Sequence, residues 1–199
     1  MTDQPAPMET TVLLAAEAVD TAIHQLAREI IEALPDLDAV AFLGILSRGH
    51  PLAQRLAARI HALTGARPKV GALATTLYRD DLRSGGAMGK ASAPRAGTYF
   101  DFSIDGITVV LVDDVLHRGR TIRAAMDELM DYGRPARVQL AALIDRGGRE
   151  LPIQPDYCGW RLGAIEGGRV TVKLSEIDGE DAVLVEQFEP RPGTDDTEA

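Results

Sequence analysis

Two adjacent acidic residues, Asp113 and Asp114, follow an apolar run that ends at Val112. Gly119 and Thr121 come a few residues later, where helical spacing of apolar residues begins. The exposed backbone amides of such a loop, together with the N-terminus of a helix, bind phosphate groups, and the Thr hydroxyl adds a donor. The neighbouring carboxylates can accept hydrogen bonds from sugar hydroxyls or hold a divalent cation. This combination of residues predicts a site for a phosphorylated sugar.

The acid pair also has other interpretations. Two aspartates at the end of a strand can simply cap the next helix. The pair alone does not decide between this structural role and ligand binding. Response-regulator receiver domains carry such a pair near their start, whereas here it lies near the middle of the chain. Nucleotide hydrolases add a P-loop, but residues 84–91 have Ser84 and Ala91 where that motif needs a glycine and a hydroxyl. Neither class of protein accounts for the whole pattern.

Apolar periodicity predicts the elements that position these residues. Helical spacing covers residues 15–34, 52–63 and 121–132, and apolar runs typical of strands cover residues 39–45, 70–78, 99–104, 107–112, 138–144, 170–174 and 182–185. Repeated alternation of strand and helix predicts an α/β fold with a mainly parallel, twisted sheet flanked by helices. Ligands of such sheets bind beyond the carboxyl ends of the strands. The dipeptide Asp105-Gly106 predicts a tight hairpin between the strands on either side of it.

Length and composition limit the class of protein. The 199 residues, 45% of them hydrophobic, suffice for one core, so residues 10–188 are predicted to form a single domain. Residues 1–9 are predicted to be a flexible tail and residues 189–199 a disordered acidic tail. The single cysteine, Cys158, and the lack of long apolar runs lead us to expect a cytoplasmic protein without membrane contact. Because the net charge is −9, nucleic acid would have to bind at a local basic patch.

Several segments carry a family resemblance. Residues 109–129 resemble the phosphoribosyl diphosphate (PRPP) motif of type I phosphoribosyltransferases. Residues 76–82, 133–141 and 145–153 are similar, in the same order, to segments of the bifunctional pyrimidine operon regulators and uracil phosphoribosyltransferases, the PyrR family. The resemblance implies the type I phosphoribosyltransferase fold, with a small β-rich C-terminal portion called the hood. It also implies a homo-oligomer, either a dimer or a tetramer.

The resemblance further implies roles for individual residues. PRPP contacts fall on Ser47, Arg48 and Gly49, on Asp80 and Asp81, and on Asp113, Asp114, Val115, Leu116, His117, Arg118, Gly119, Arg120 and Thr121. The first group binds the diphosphate, the second begins a flexible loop that closes over the reacting centre, and the third binds the ribose and its phosphate. Catalytic roles are implied for Arg48, Arg79, Asp113 and Asp114, and contacts on the side of the base for Asp145 and Arg146.

The implied reaction joins uracil to the anomeric carbon of PRPP and gives uridine monophosphate (UMP) and diphosphate. Mg²⁺ is the implied cofactor, held mainly by PRPP, with Asp113 and Asp114 as candidate ligands. The implied regulatory role is UMP-dependent binding of a hairpin in pyrimidine-operon leader mRNA, which terminates transcription. Candidate RNA contacts are Arg146, Arg149 and Arg161.

Several residues depart from the family pattern. His117 and Arg118 stand where tyrosine and threonine are usual, Gly148 replaces a usual histidine, and Trp160 replaces a usual lysine. Arg118 either pairs with the phosphate or distorts the loop. The loss of cations weakens the inference of RNA binding. An alternative function is therefore a catalytically impaired regulator that binds PRPP or UMP without turnover.

Overall fold

The computed structural model describes residues 9–75, 97–163, 165 and 168–187. Its helices are α1 (Ala16–Ala33), α2 (Gly49–Thr64), α3 (Arg120–Leu129) and the short α4 (Ser175–Asp178), with a 3-10 turn at Leu37–Ala39. Its strands are β1 (Glu9–Leu14), β2 (Val40–Ile45), β3 (Lys69–Leu73), β4 (Thr108–Leu116), β5 (Arg137–Asp145), β6 (Tyr157–Arg161), β7 (Gly168–Lys173) and β8 (Ala182–Gln187). None of the helices in these ranges is long and apolar enough to cross a membrane.

Strands β2 to β6 form a parallel sheet in the order β3-β2-β4-β5-β6. Every residue of β2 is buried, as expected for a parallel strand that is covered on both faces. The predicted α/β architecture is thereby confirmed. Strand β4, which carries the acid pair, lies at the centre of the sheet.

Helices cover both faces of this sheet. On one face, Leu26 of α1 and Leu56 of α2 join Phe42 of β2 in one apolar cluster. On the other face, Leu129 of α3 joins Leu43 in a second cluster. The neighbouring residues Phe42 and Leu43 therefore face opposite layers, which is the two-residue alternation of a strand.

A second, antiparallel sheet has the strand order β1-β8-β7 within the described ranges and corresponds to the predicted hood. The apolar pattern predicts β7 and β8 but not β1, because residues 9–13 are exposed on an edge strand. It also misses β6, which has only five residues, including Gly159. The division into one domain and two tails stays a prediction, since residues 1–8 and 188–199 are not among those described.

The hairpin predicted around Asp105-Gly106 is wrong. Tyr99 forms an isolated antiparallel bridge with Ala72, and residues 100–107 form no strand. Strand β4 pairs in parallel with β2 on one side and β5 on the other, so neither edge is free for a hairpin partner. The dipeptide does form a turn, in which Gly106 has a φ of +70°.

Strand β4 extends past its predicted end at Val112 to Leu116. Its pairing with β2 stops where Gly44 lies opposite Val112, whereas its pairing with β5 continues to Leu116 opposite Asp145. The last part of β4 therefore has β5 on one side and no strand partner on the other among the described residues. This is the kind of crevice in which α/β sheets bind ligands.

Candidate active site

Asp113 and Asp114 lie in this last part of β4. Asp113 is 6% exposed and Asp114 is half-buried. Each carboxylate accepts a bond from the next backbone amide, Asp114 N to Asp113 Oδ1 and Val115 N to Asp114 Oδ1, both at 3.0 Å. Burial raises the pKa of Asp113 well above its usual range, and the charge of Asp114 raises it further. Burial also raises the pKa of Asp114, although hydrogen bonds and the charge of Arg48 oppose this. The pair therefore favours a ligand that brings hydroxyl donors or positive charge.

The loop before α2 reaches the acid pair through two glycines. A Cβ atom at Gly49 would lie 2.3 Å from the carbonyl oxygen of Val112, and one at Gly44 would lie 2.3 Å from the carbonyl oxygen of Gly49. The start of α2 therefore packs directly on β2 and β4, at a distance that only glycine allows. The peptide bond between Leu46 and Ser47 is cis. This loop thus lies beside the acid pair.

Arg48, the residue that precedes α2, is held by an acid from the hood. Its Nε and Nη2 donate to the two carboxylate oxygens of Asp178, at 3.2 and 2.8 Å. This pairing raises the pKa of Arg48 and lowers the pKa of Asp178. The charge of Asp114 also raises the pKa of Arg48. Arg48 is therefore subject to acids on two sides, one in the hood and one in the acid pair.

The turn between β4 and α3 has the geometry of an anion site. Gly119 has a φ of +89°, a left-handed conformation that favours glycine, and α3 begins at the next residue. No side chain among the described residues caps this helix, so its first backbone N–H groups are available to an acceptor. Thr121 is half-buried in the first turn. The arrangement suits a phosphate group.

Two exposed arginines flank this turn and share one acid. Arg118 Nε lies 3.1 Å from one carboxylate oxygen of Glu150, and Arg120 Nε donates to the other at 2.6 Å. The bond from Arg120 lowers the pKa of Glu150. Two positive charges against one negative charge leave a net positive charge beside the N-terminus of α3, which suits an anionic ligand.

The segment after β5 supports the turn between β4 and α3. The Arg149 guanidinium donates to the carbonyl oxygens of Ile153 and His117, at 2.8 and 2.9 Å, and to the Asp145 carboxylate at 2.7 Å. The carbonyl oxygen of Arg118 accepts two backbone bonds from the same segment, at 3.1 and 3.2 Å. Arg149 therefore links the segment after β5 to the turn before α3 by internal hydrogen bonds.

Arg146 joins this segment to the hood. It is 8% exposed, and its Nη2 donates to the carbonyl oxygens of Ile165 and Gly168, at 3.2 and 2.9 Å. Its Nε is buried and has no hydrogen-bond partner among the described residues. Burial lowers the pKa of Arg146, and the charge of Arg118 adds to this effect. A buried donor without a partner is costly.

His117 is half-buried against Gly148. A Cβ atom at Gly148 would lie 2.9 Å from His117 Nε2, so a side chain at that position would displace the ring. Burial lowers the pKa of His117, and the charges of Arg146 and Arg118 lower it further. The imidazole is therefore mainly neutral near pH 7 and can accept a hydrogen bond or a proton.

Comparison with known proteins identifies the family. Residues 9–166 match the phosphoribosyl transferase domain family. The chain is 50% identical to the bifunctional protein PyrR of Roseiflexus sp. (strain RS-1), over 84% of this chain and 89% of that protein. It is 41% identical to the bifunctional protein PyrR of Clostridioides difficile (strain 630), over 90% of this chain and 99% of that protein. The chain belongs to the PyrR family of phosphoribosyltransferases.

Solved structures share the fold of this PyrR-family chain. A hypoxanthine-guanine phosphoribosyltransferase from Bacillus anthracis is similar with a TM-score of 0.65 and 16% identity, over 89% of this chain and 98% of that one. A hypoxanthine phosphoribosyltransferase from Trypanosoma cruzi is similar with a TM-score of 0.62 and 16% identity, over 90% of this chain and 97% of that one. At this identity the likeness concerns the fold alone. It confirms the predicted type I phosphoribosyltransferase fold.

The predicted PRPP residues of this family member fall on one edge of the sheet where the structure describes them. The loop at residues 47–49, the acid pair and the turn at residues 117–121 are neighbours, and Val115 and Leu116 complete β4 between them. The predicted loop residues Arg79, Asp80 and Asp81 lie outside the described residues.

The three arginines predicted to contact RNA differ in exposure. Arg146 and Arg149 donate to internal carbonyl and carboxylate oxygens. Arg161, at the end of β6, is exposed, and its neighbour Trp160 is 45% exposed. A surface for RNA that includes β6 would therefore rest on Arg161 more than on the other two.

The sequence assigns no role to three residues of the site. Gly44 has a weak local signal, since a glycine inside a buried strand often marks a close backbone approach. Asp178 has none, because 130 residues separate it from Arg48. Glu150 lies in the segment at residues 145–153 that resembles the family, but no role is implied for it. The fold brings it within 2.6 Å of Arg120, at the turn between β4 and α3.

Proposed function

We propose that the protein transfers the phosphoribosyl group of PRPP to uracil, which gives UMP and diphosphate. The observation that carries this proposal is that two helix N-termini flank the acid pair. The N-terminus of α2 contacts Val112 through Gly49, and the N-terminus of α3 follows Gly119. Two anion sites on either side of carboxylates suit a sugar that carries phosphate at one end and diphosphate at the other.

Each part of PRPP then has a candidate partner. The 5-phosphate would bind the turn at residues 117–121, through the amides of α3 and the Thr121 hydroxyl. The ribose hydroxyls would donate to Asp113 and Asp114. The diphosphate would bind the loop at residues 47–49 and the charge of Arg48.

The chemistry requires charge stabilisation rather than a protein nucleophile. Positive charge grows on the ribose as the bond from its anomeric carbon to diphosphate breaks and the bond to the uracil nitrogen forms. The proton of that nitrogen leaves to solvent or to the released diphosphate. Asp113 is buried and Asp114 is half-buried, so negative charge on the pair acts at a lower effective dielectric than in water. Arg48 stabilises the negative charge on the departing diphosphate. Holding both substrates in line supplies the rest of the rate enhancement.

Mg²⁺ is the cofactor that we propose. No group of three or more His, Cys, Asp or Glu side chains in the described ranges is arranged to hold a metal ion. The ion would therefore be held mainly by oxygens of PRPP, with Asp113 and Asp114 as the carboxylates beside it, in the way that Mg²⁺ usually binds to phosphorylated substrates. When bound, it would neutralise charge on the diphosphate.

The uracil base would bind beside the segment that follows β5. Uracil offers carbonyl oxygens, and Arg146 is a buried cation of this segment. The neutral ring of His117 lies against the same segment at Gly148. These groups support a polar base with acceptor atoms.

Formation of UMP from uracil and PRPP in the presence of Mg²⁺ tests this function. Chromatography of the products separates UMP from its substrates. A folded protein that forms no UMP at saturating substrate would contradict the proposal.

We also propose that the protein regulates pyrimidine operons by UMP-dependent binding of leader mRNA. Its relatives are named bifunctional protein PyrR, and β6 presents an exposed cation and an exposed aromatic ring, Arg161 and Trp160. Such residues contact phosphates and stack on unpaired bases. A mobility shift of the leader hairpin that appears with UMP and weakens with salt is the expected result. Unchanged mobility with UMP would contradict RNA binding.

The alternative function is a regulator that binds PRPP or UMP without turnover. It is supported by Glu150, which already occupies the guanidinium groups of Arg118 and Arg120. Calorimetry and the product assay together distinguish the two functions. The regulator binds UMP in the calorimeter but forms none from uracil and PRPP.

We further propose a cytoplasmic homo-oligomer. Val12 and Leu13, on the edge strand β1, are 60% and 36% exposed, which supports self-association. The charged substrates proposed above do not cross membranes unaided, which supports the cytoplasm. Light scattering would give the mass of the oligomer, and a monomer at micromolar concentration would contradict self-association.

A further inference from the structure

We propose that Asp178 is a positioning residue that orients Arg48 toward the diphosphate of PRPP. This inference rests on the proposed function, in which Arg48 binds the diphosphate. It adds a residue of the hood to the machinery that handles the leaving group.

The contact between the two side chains defines both the position and the plane of the guanidinium. Nε and Nη2 of Arg48 donate to the two carboxylate oxygens of Asp178, at 3.2 and 2.8 Å. A bidentate pair of this kind restricts rotation of the guanidinium more than a single bond would. The side chains are 29% and 18% exposed, so water screens the pair less than it would on an open surface. Neither bond uses Nη1, which leaves that nitrogen for an anionic ligand.

Asp178 is itself fixed in place. Its Oδ2 also accepts the backbone N–H of Leu174 at 2.9 Å, across the short helix α4. Leu174 is fully buried, so the turn is anchored to the core. Asp178 therefore presents its carboxylate from a rigid turn of the hood.

Arg48 needs an external partner because of its surroundings. It is a long side chain at the edge of a helix, and the charge of Asp114 attracts it. A guanidinium that moved onto Asp114 would neutralise a carboxylate intended for the ribose and would no longer face the diphosphate. The bond to Asp178 opposes this movement.

A second pair nearby provides a matched control. Arg55 of α2 donates to both carboxylate oxygens of Asp181, each at 2.8 Å, and Asp181 accepts the backbone N–H of Ser175 at 2.7 Å. Asp181 thus makes the same kinds of bond to α2 as Asp178 makes to the residue before it, although Arg55 also pairs with Glu176, at 2.6 Å from Nη2 to Oε2. Arg55, however, lies two turns further along the helix and is not among the proposed PRPP residues.

The test compares Asp178→Asn with Asp181→Asn, each of which removes one negative charge and keeps the size of the side chain. For Asp178→Asn, we expect kcat/KM for PRPP to fall roughly tenfold or more, the usual cost of removing a residue that orients a ligand-binding group. We expect KM for uracil to stay unchanged. For Asp181→Asn, we expect both parameters to stay within about twofold of the unaltered protein. Its loss of thermal stability should be no larger than that of Asp178→Asn, because Arg55 keeps its pair with Glu176.

Calorimetric binding of inorganic diphosphate with Mg²⁺ provides a readout that does not require turnover. Loss of a negative charge alone would strengthen anion binding, so weaker binding by Asp178→Asn than by Asp181→Asn reveals loss of orientation. Equal affinities of the two variants, or tighter binding by Asp178→Asn, would overturn the inference. If the unaltered protein binds diphosphate but forms no UMP, the transferase proposal fails and this comparison still decides the role of Asp178. If it binds no diphosphate, the role of Asp178 fails as well.

Discussion

A Cβ atom on Gly49 would lie 2.3 Å from the carbonyl oxygen of Val112. The first residue of α2 is therefore in direct contact with the residue that precedes the acid pair. Since this contact is made by backbone atoms, neither partner can move aside by changing a rotamer. The distance from the proposed diphosphate loop to the acid pair is thus set by the main chain.

Replacement of Gly49 tests this contact. In an ordinary helix, Gly→Ala stabilises by about 1 kcal/mol. Here we expect Gly49→Ala to destabilise the protein by about 3 kcal/mol, because the new methyl group must push α2 away from β4. Urea denaturation measures the change. Gly163→Ala is the control, since a Cβ atom there would meet no atom of the described residues within 4 Å, and a loss as large in this control would contradict the steric explanation.

Glu150 is predicted to compete with the phosphate of PRPP. It pairs with Arg118 and Arg120 beside the N-terminus of α3. In Glu150→Gln the two guanidinium groups become available, and we expect UMP to bind about threefold more tightly at low salt, with a smaller gain at high salt. Isothermal titration calorimetry measures the affinity.

The control for this substitution is Asp127→Asn, which removes an exposed acid that pairs with Arg123 further along α3. It should change the affinity for UMP less than Glu150→Gln does. Weaker binding in Glu150→Gln would show instead that the acid shapes the turn.

His117 is predicted to make stability depend on pH. Burial, together with the charges of Arg146 and Arg118, lowers its pKa in the folded protein from the ordinary 6.5. The unfolded chain therefore binds a proton at a higher pH than the folded chain does. The free energy of unfolding should fall as the pH decreases through 6.5, until the lower folded pKa has been passed.

Denaturation at several pH values, with His117→Gln for comparison, measures this effect. Between about pH 7 and 5, the range in which histidine ordinarily titrates, the free energy of unfolding should fall less in the variant than in the unaltered protein. An NMR titration that placed the midpoint of His117 at or above 6.5 would contradict the prediction.

Apolar periodicity suffices to predict the strands that are buried along their whole length and the helices that bury one face. Strand β2 is apolar throughout because both of its faces are covered. Strand β1 is exposed at residues 9–13, and its pairing with β8 depends on residues at the other end of the chain. The prediction of a hairpin at Asp105-Gly106 is wrong because a local turn signal does not reveal that both edges of β4 are already paired.

The residues of the site also fall into those that a local sequence pattern predicts and those that only the fold brings together. The acid pair and Gly119 belong to one continuous segment, so their types and spacing suffice to predict an anion site beside carboxylates. The pairing of Arg48 with Asp178 brings together residues that are 130 positions apart. Such a pair depends on how the hood packs against α2, which no local pattern encodes.

The acid pair is the part of the proposed mechanism that a double substitution can test. Burial raises the pKa of both Asp113 and Asp114, which means that ionisation of the pair destabilises the folded protein near pH 7. We therefore expect the Asp113→Asn, Asp114→Asn double variant to be at least as stable as the unaltered protein. A loss of activity in this variant could then not be attributed to unfolding.

The most direct measurement is the rate of UMP formation from uracil, PRPP and Mg²⁺ by the unaltered protein and by this double variant. We predict turnover by the unaltered protein and a loss of about a hundredfold or more in the variant, as expected when charged groups that stabilise a transition state are removed. Equal rates in the two proteins, or no UMP from the folded unaltered protein, would contradict the proposed role of the acid pair.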